Sequence, residues 1–245
     1  MLNDKIIPIG IKFSEKREYL EDLANGKVYM NESGYFRKID NRFRGDKFDG
    51  KYPFLTSSKW KIETGPFGNL KEKIIIPGEC IKDFTVGFKN DDKIPLFCCS
   101  IVSDKILDLQ ENGKMRFTNE FVSEMQKFGE YYMIFDLNEL IDGIQEYIDD
   151  NKIYAQSGCV EYKDIYTSYD IETFNFHTRN IFESFFIKDS SYCLQNEWRV
   201  LLDNRNQELI SETENHLLIN IKPFKYQFID VVGNMKNCTF TAMYN

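Results

Sequence analysis

Residues 72–103, EKIIIPGECIKDFTVGFKNDDKIPLFCCSIVS, hold three short apolar or alternating runs with no stretch of helical period between them. Pro77-Gly78, Asn90-Asp91-Asp92 and Pro95 punctuate the runs as turn residues do. Three consecutive strand candidates without intervening helices argue against a regular βαβ alternation. They point instead to α+β, with a mixed, largely antiparallel sheet and several packed helices.

The flanking sequence fits that class. Upstream, KIIPIGIKF (5–13) and KVYMN (27–31) read as strands. Between them SEKREYLEDLANGK (14–27) reads as a helix with Ser14 as N-cap, Tyr19, Leu20 and Leu23 at helical spacing, and Gly26 as the stop. Residues 32–54, ESGYFRKIDNRFRGDKFDGKYPF, read as a long, charged, aromatic-rich loop, and loops of that length are commonly functional. Downstream, TNEFVSEMQKFG (118–129) predicts an amphipathic helix capped by Thr118 or Asn119, carrying Phe121, Met125 and Phe128, and stopped by Gly129. YYMIFD (131–136) predicts a buried strand. LNELIDGIQEYIDDN (137–151) predicts a helix with Leu140, Ile144, Tyr147 and Ile148 on one face. KIYAQSGCVEYKD (152–164) reads as a strand and turn, and the middle of residues 169–190 as helical. NEWRVLLD (196–203), HLLINI (216–221) and FIDVVG (228–233) are three closing strand candidates.

With 245 residues and no Pro/Gly/Ser-rich linker, the expectation is one α+β domain over 1–245. The 21 Phe and 14 Tyr provide ample surface for a core. A net charge of -8 leaves nucleic acid a poor partner, because the densest basic patch, Arg37-Lys38, Arg42, Arg44 and Lys47, is interleaved with Asp40, Asp46 and Asp49. No signal peptide and no long apolar run is present, so the expected location is cytoplasmic, with no membrane. The six cysteines lack C-x-x-C spacing and read as reduced, mostly buried thiols. With only His177 and His216 beside them, no metal site is expected. Abundant Lys, Asn, Ile and Phe with scarce Ala and Trp fit an AT-rich genome, that of a low-GC Gram-positive bacterium or its phage, in which case the location is the host cytoplasm.

No G-x-G-x-x-G, G-x-x-x-x-G-K-S/T or G-x-S-x-G motif occurs. What remains is Gln195-Asn196-Glu197, a polar triplet at the mouth of the apolar strand Trp198-Arg199-Val200-Leu201-Leu202. Glu197 and Arg199 lie on the same face of that strand, so a carboxylate–guanidinium pair locking a sheet edge explains the triplet. Arg199 is also a candidate for gripping a ligand phosphate bidentately.

The triplet resembles the Q-x-E or E-x-E element of the ADP-ribosyltransferase superfamily. Three longer blocks are similar to the bacterial and phage family called domain of unknown function 2971. In LANGKVYMNESGYFRKIDNRFRGDKFDG (23–50), Asp46, Phe48, Asp49 and Gly50 match that family, while Arg44, Gly45 and Lys47 depart from it. LFCCS (96–100) followed by FGEYYMIFD (128–136) is the second block, without the family's usual Trp. FFIKDSSYCLQNEWRVLL (185–202) is the third, with Gln195 in place of the first Glu.

The resemblance implies an ADP-ribosyltransferase-like fold with NAD as cofactor. Glu197 would be the catalytic carboxylate, stabilising the positive charge that develops as nicotinamide leaves, and Gln195 would contact the acceptor. Arg37 or Arg44 would anchor the pyrophosphate, and Tyr35 or Phe36 would wall the nicotinamide; Tyr29 could do the same, although its alternation with Val28 and Met30 reads as core. The runner-up is a non-enzymatic phage protein that binds and inhibits a bacterial defence protein. It requires the triplet to be buried or paired, and an exposed acidic or aromatic patch.

Overall fold

The computed structural model describes residues 6–39, 46, 48–55, 61–64, 74–77, 83–87, 90–111, 113–164, 182–210 and 213–241. In chain order the first elements are β1 (Ile6–Ser14), α1 (Arg17–Ala24), β2 (Lys27–Glu32) and α2 (Ser33–Lys38). Next come β3 (Tyr52–Leu55), β4 (Lys61–Thr64), β5 (Ile74–Pro77), β6 (Asp83–Val86) and β7 (Pro95–Ser103). The middle holds β8 (Leu107–Leu109), β9 (Met115–Phe117), α3 (Asn119–Met125), β10 (Tyr131–Asp136) and α4 (Leu137–Asn151). The last are β11 (Ala155–Cys159), β12 (Glu161–Lys163), β13 (Ile187–Asp189), β14 (Glu197–Leu202), β15 (His216–Asn220), β16 (Gln227–Val231) and β17 (Thr239–Phe240).

Eight strands form the main sheet. Its order is β11-β14-β7-β1-β10-β16, with β2 joined to β7 and β15 to β2. Its pairings are antiparallel, and the fold is α+β. The closing candidates β14, β15 and β16 do not pair with one another; each inserts at a different place.

The central strand β7 explains both the fold and the site. It pairs with β14 on one side. On the other it pairs with β2 near its start, Leu96 opposite Asn31, and with β1 near its end, Ser100 opposite Ile11. The sheet therefore forks at Cys98, and a side chain takes over where the ladder opens: Lys12 Nζ donates to the Cys98 carbonyl at 2.5 Å. Both faces of β7 are covered, which is why PLFCCSIVS reads as a continuous apolar run.

Alternation sorts the side chains. Phe97, Cys99 and Ile101 of β7 and Trp198, Val200 and Leu202 of β14 join the cluster under α1 and α4. On the opposite face lie two separate apolar clusters. One is built with α3 around Ile11, Val102, Phe121 and Met125; the other is built around Ile94, Leu96, Phe182, Phe185 and Leu201. Cys98, Ser100, Glu197 and Arg199 fall in the seam between them.

Several expectations are corrected. β14 is an interior strand between β11 and β7, so the Glu197–Arg199 pair is not an edge lock. The long loop begins with α2, and Arg44 lies outside the described residues. Tyr29 is not core: Val28 and Met30 take the inner face, leaving Tyr29 47% exposed and stacked on His216. Ser14 does not cap α1; its hydroxyl accepts from Lys16 N instead. Thr118 does cap α3, but α3 ends at Met125, before Gly129. Gly129 answers to a close approach, since a Cβ there would meet the Ser14 backbone at 2.2 Å. Among the described cysteines Cys99 is buried, whereas Cys159 and Cys193 are exposed. The predicted helix in 169–190 falls partly outside the described residues, as does His177. Its described end is a short 3-10 turn, Glu183–Phe186, and then β13. No described helix is long and apolar enough to cross a membrane.

Candidate functional site

The triplet that opens β14 is shaped by its middle residue. Asn196 takes a left-handed conformation, φ 43°, which Asn tolerates better than most residues, and this turns the chain from a 3-10 segment (Ser190–Gln195) into the strand. Its amide Nδ2 donates to the Ile101 carbonyl at 2.6 Å and to Ser103 Oγ at 3.0 Å, fastening the turn to β7. Gln195, last in the 3-10 segment, and Glu197, first in the strand, turn to the same side, and Ser100 Oγ donates to the Gln195 carbonyl at 2.6 Å.

Glu197 is 6% exposed and Arg199 1%. Arg199 Nε donates to Glu197 Oε1 at 2.6 Å, and Lys188 Nζ, from β13, donates to Glu197 Oε2 at 2.7 Å and to Gln195 Oε1 at 3.0 Å. The rest of the guanidinium is taken as well. Its two terminal nitrogens donate to both oxygens of Asp49, at 2.7 and 3.1 Å, and one also donates to the Phe185 carbonyl at 2.6 Å. Burial pushes the Glu197 carboxyl up, but Arg199 and Lys188 outweigh it and hold it well below the ordinary carboxylate range. Glu197 is thus a permanent anion, unsuited to proton transfer. Arg199, with four of its five N–H donors engaged, has no fork to offer a phosphate.

Asp49 reaches the network from the far side of the chain on a short turn. Asp49 N donates to the Asp46 carbonyl at 3.0 Å, and Asp46 Oδ1 accepts from Phe48 N at 2.9 Å. Ser184 Oγ donates to the Gly50 carbonyl at 3.0 Å. At Gly50, φ 69°, an added Cβ would sit 2.2 Å from the Phe185 ring, so only glycine lets the turn press onto that cluster. Burial, and then the charge of Asp49, raise the Asp46 carboxyl.

Beside the network lies a cavity of about 120 Å³. Lys12, Cys98, Ser100, Lys188, Gln195, Glu197 and Arg199 give it polar groups, and Ile11, Phe13, Phe36, Met125 and Phe128 give it apolar walls. Cys98 is not poised as a nucleophile, because burial and then the Glu197 charge push its thiol up to about 12.

Gln195, Glu197 and Phe36 line the same cavity. Arg37 does not: its guanidinium donates to the Asp49 carbonyl at 2.8 Å and to Asp91 Oδ1 at 2.9 Å. Tyr35 is exposed and packs edge-on against Phe36. Lys188 and Lys12 are residues that sequence reasoning passes over, and Asp49 enters it only as a block match and a loop charge. Asp49 stands inside the first block and Lys188 inside the third, and they join one network only because folding brings residue 49 to residue 199. Among the described residues no group of His, Cys, Asp and Glu could hold a metal ion. No model of a known family, no curated protein and no solved structure matches this chain.

Proposed function

We propose that this protein acts by binding another protein, a bacterial defence protein that it inhibits, and that the Lys188–Glu197–Arg199–Asp49 network is a latch holding the fold together. One observation carries the reading. Both carboxylate oxygens of Glu197 already face cations, at 2.6 and 2.7 Å, so the charge that a departing nicotinamide needs is neutralised in place. Size agrees with this, since about 120 Å³ is well short of the roughly 300–1,000 Å³ of sites that engulf larger ligands.

The surface supplies what binding requires. Tyr29, Leu218 and His216 stand on the outer face of the β2–β15 pair, Leu218 directly opposite Tyr29, and Tyr19 and Tyr35 lie close enough to influence the Tyr29 hydroxyl. Exposed tyrosines grouped in this way have the composition of interface hot spots. The test is capture of partners from bacterial lysate by wild type and by Tyr29→Ser/Leu218→Ser, followed by direct binding measurements with the purified partner. A stoichiometric partner held by wild type and lost by the variant is expected; no such partner, or equal binding by both, overturns the reading.

The ADP-ribosyltransferase-like reading, with NAD as cofactor, is kept as the second, because Gln195 and Glu197 do line one cavity together with Phe36. Its test is nicotinamide release from labelled NAD. Release by wild type that is lost in Gln195→Ala, a variant that keeps the ion pairs of Glu197, would replace the first reading; no release from wild type removes the second.

A further inference from the structure

Among the described residues, Lys12 is the one cation lining the cavity without a carboxylate partner. Arg199 has Asp49 and Glu197, and Lys188 has Glu197. The Lys12 ammonium meets only the Cys98 carbonyl, at 2.5 Å, and the face of the Phe97 ring, 4.5 Å from its centroid; among the described residues it forms no ion pair. An ammonium has three N–H donors, so Lys12 has two that are not spent on the Cys98 carbonyl, while Lys188 bonds Gln195 and Glu197 and lies over the Tyr192 ring, 5.4 Å from its centroid. Both lysines line the cavity.

The local charge balance has a definite sign. Of the groups that line the cavity, Lys12, Lys188 and Arg199 carry three positive charges and Glu197 one negative charge. Neither Asp49 nor Asp46 lines it; Asp49 offsets the Arg199 charge from outside, which leaves one positive charge in excess at the lining. A partly enclosed site with excess positive charge and spare N–H donors favours an anion. Phe13, Phe36 and Phe128 line the same cavity and suit a compact apolar body. The volume sets the size: about 120 Å³ compares with the roughly 150 Å³ apolar cavity that holds a benzene ring in another protein.

We propose that this cavity is a binding site for a small organic monocarboxylate, its carboxylate held between the ammonium groups of Lys12 and Lys188 and its apolar body against the phenylalanine rings. The site is independent of any surface partner, and it runs opposite to what a cationic nicotinamide would require.

The experiment is calorimetric titration of the full chain with benzoate and with benzamide, which share a ring and differ in charge. Benzoate is expected to bind and benzamide to bind at least tenfold more weakly. Lys12→Met, which breaks no ion pair, should weaken benzoate by about 10- to 100-fold, the range of a charge-assisted hydrogen bond. Lys12→Arg should restore part of the loss, and the thermal unfolding of both variants reports whether they are folded. No benzoate binding by wild type, benzamide binding as tightly as benzoate, or benzoate binding unchanged in a folded Lys12→Met each overturns the proposal.

Discussion

At the scale of single residues the decisive quantity is desolvation. Glu197 and its partners are an ion-pair network largely withdrawn from bulk water, and removing one member strands the others. Glu197→Gln should therefore destabilise the protein by about 3–5 kcal/mol in urea unfolding at neutral pH. A loss near the ~0.5 kcal/mol typical of an exposed pair would mean that water reaches the network. Because the folded Glu197 carboxyl is held below its unfolded value, its contribution is complete above about pH 4.3 and is lost as pH falls through the folded value, so the gap between wild type and Glu197→Gln should close on acidification. Asp46 has the opposite sign. Its folded carboxyl is raised, so its contribution is complete below about pH 3.9 and is lost as pH rises through the folded value. Asp46→Asn should consequently be more stable than wild type at pH 7 and equal to it in acid; a variant less stable at pH 7 would refute this account. Glu197 and Arg199 are visible in sequence because they sit two apart on one strand, with Gln195 two residues ahead of it. Lys188 and Asp49 are not, since a charge in a loop looks solvated until the fold buries it.

At the scale of elements, period and punctuation carry far. The alternation of KVYMN, the continuous run of PLFCCSIVS and the three-and-four spacing of α4 correspond to real elements, because each pattern reports which faces are covered. Pairing is less legible. Nothing local to β14, β15 or β16 says that they join three different neighbours, and the face of β2 on which Tyr29 stands depends on α1 packing against the other one. The turn at 48–50 is the clearest case, since its glycine answers to a ring 135 positions away. Gly50→Ala should cost roughly 1–3 kcal/mol from overpacking against Phe185, plus ~1 kcal/mol for the left-handed backbone. Gly113→Ala shares the positive φ, 76°, but meets nothing within 4 Å, so it should cost only the backbone share. Equal losses in the two variants, measured by chemical denaturation, would show that the turn does not bear on Phe185.

At the scale of the molecule the network joins segments that are remote in sequence. Residue 49 is held to residue 199, Arg37 ties the Asp49 carbonyl to Asp91, and Ser184 holds Gly50. These bonds tie the turn at 46–50 to β14 and to the cluster around Phe185, so the turn cannot leave without stranding buried charge. If the chain is the one domain that its composition suggests, it should unfold in a single transition whose calorimetric and van't Hoff enthalpies agree. Asp49→Asn then has a particular signature. It leaves the Arg199 guanidinium short of a carboxylate at a cost of about 3–5 kcal/mol. At the ~2–4 °C per kcal/mol typical of chains this long, the midpoint should fall by on the order of 10 °C without splitting. Should a second, lower transition appear in the variant while the main one stays in place, the turn at 46–50 and the cluster around Phe185 would be a separable layer, and the network a local fastening rather than the latch of the whole fold.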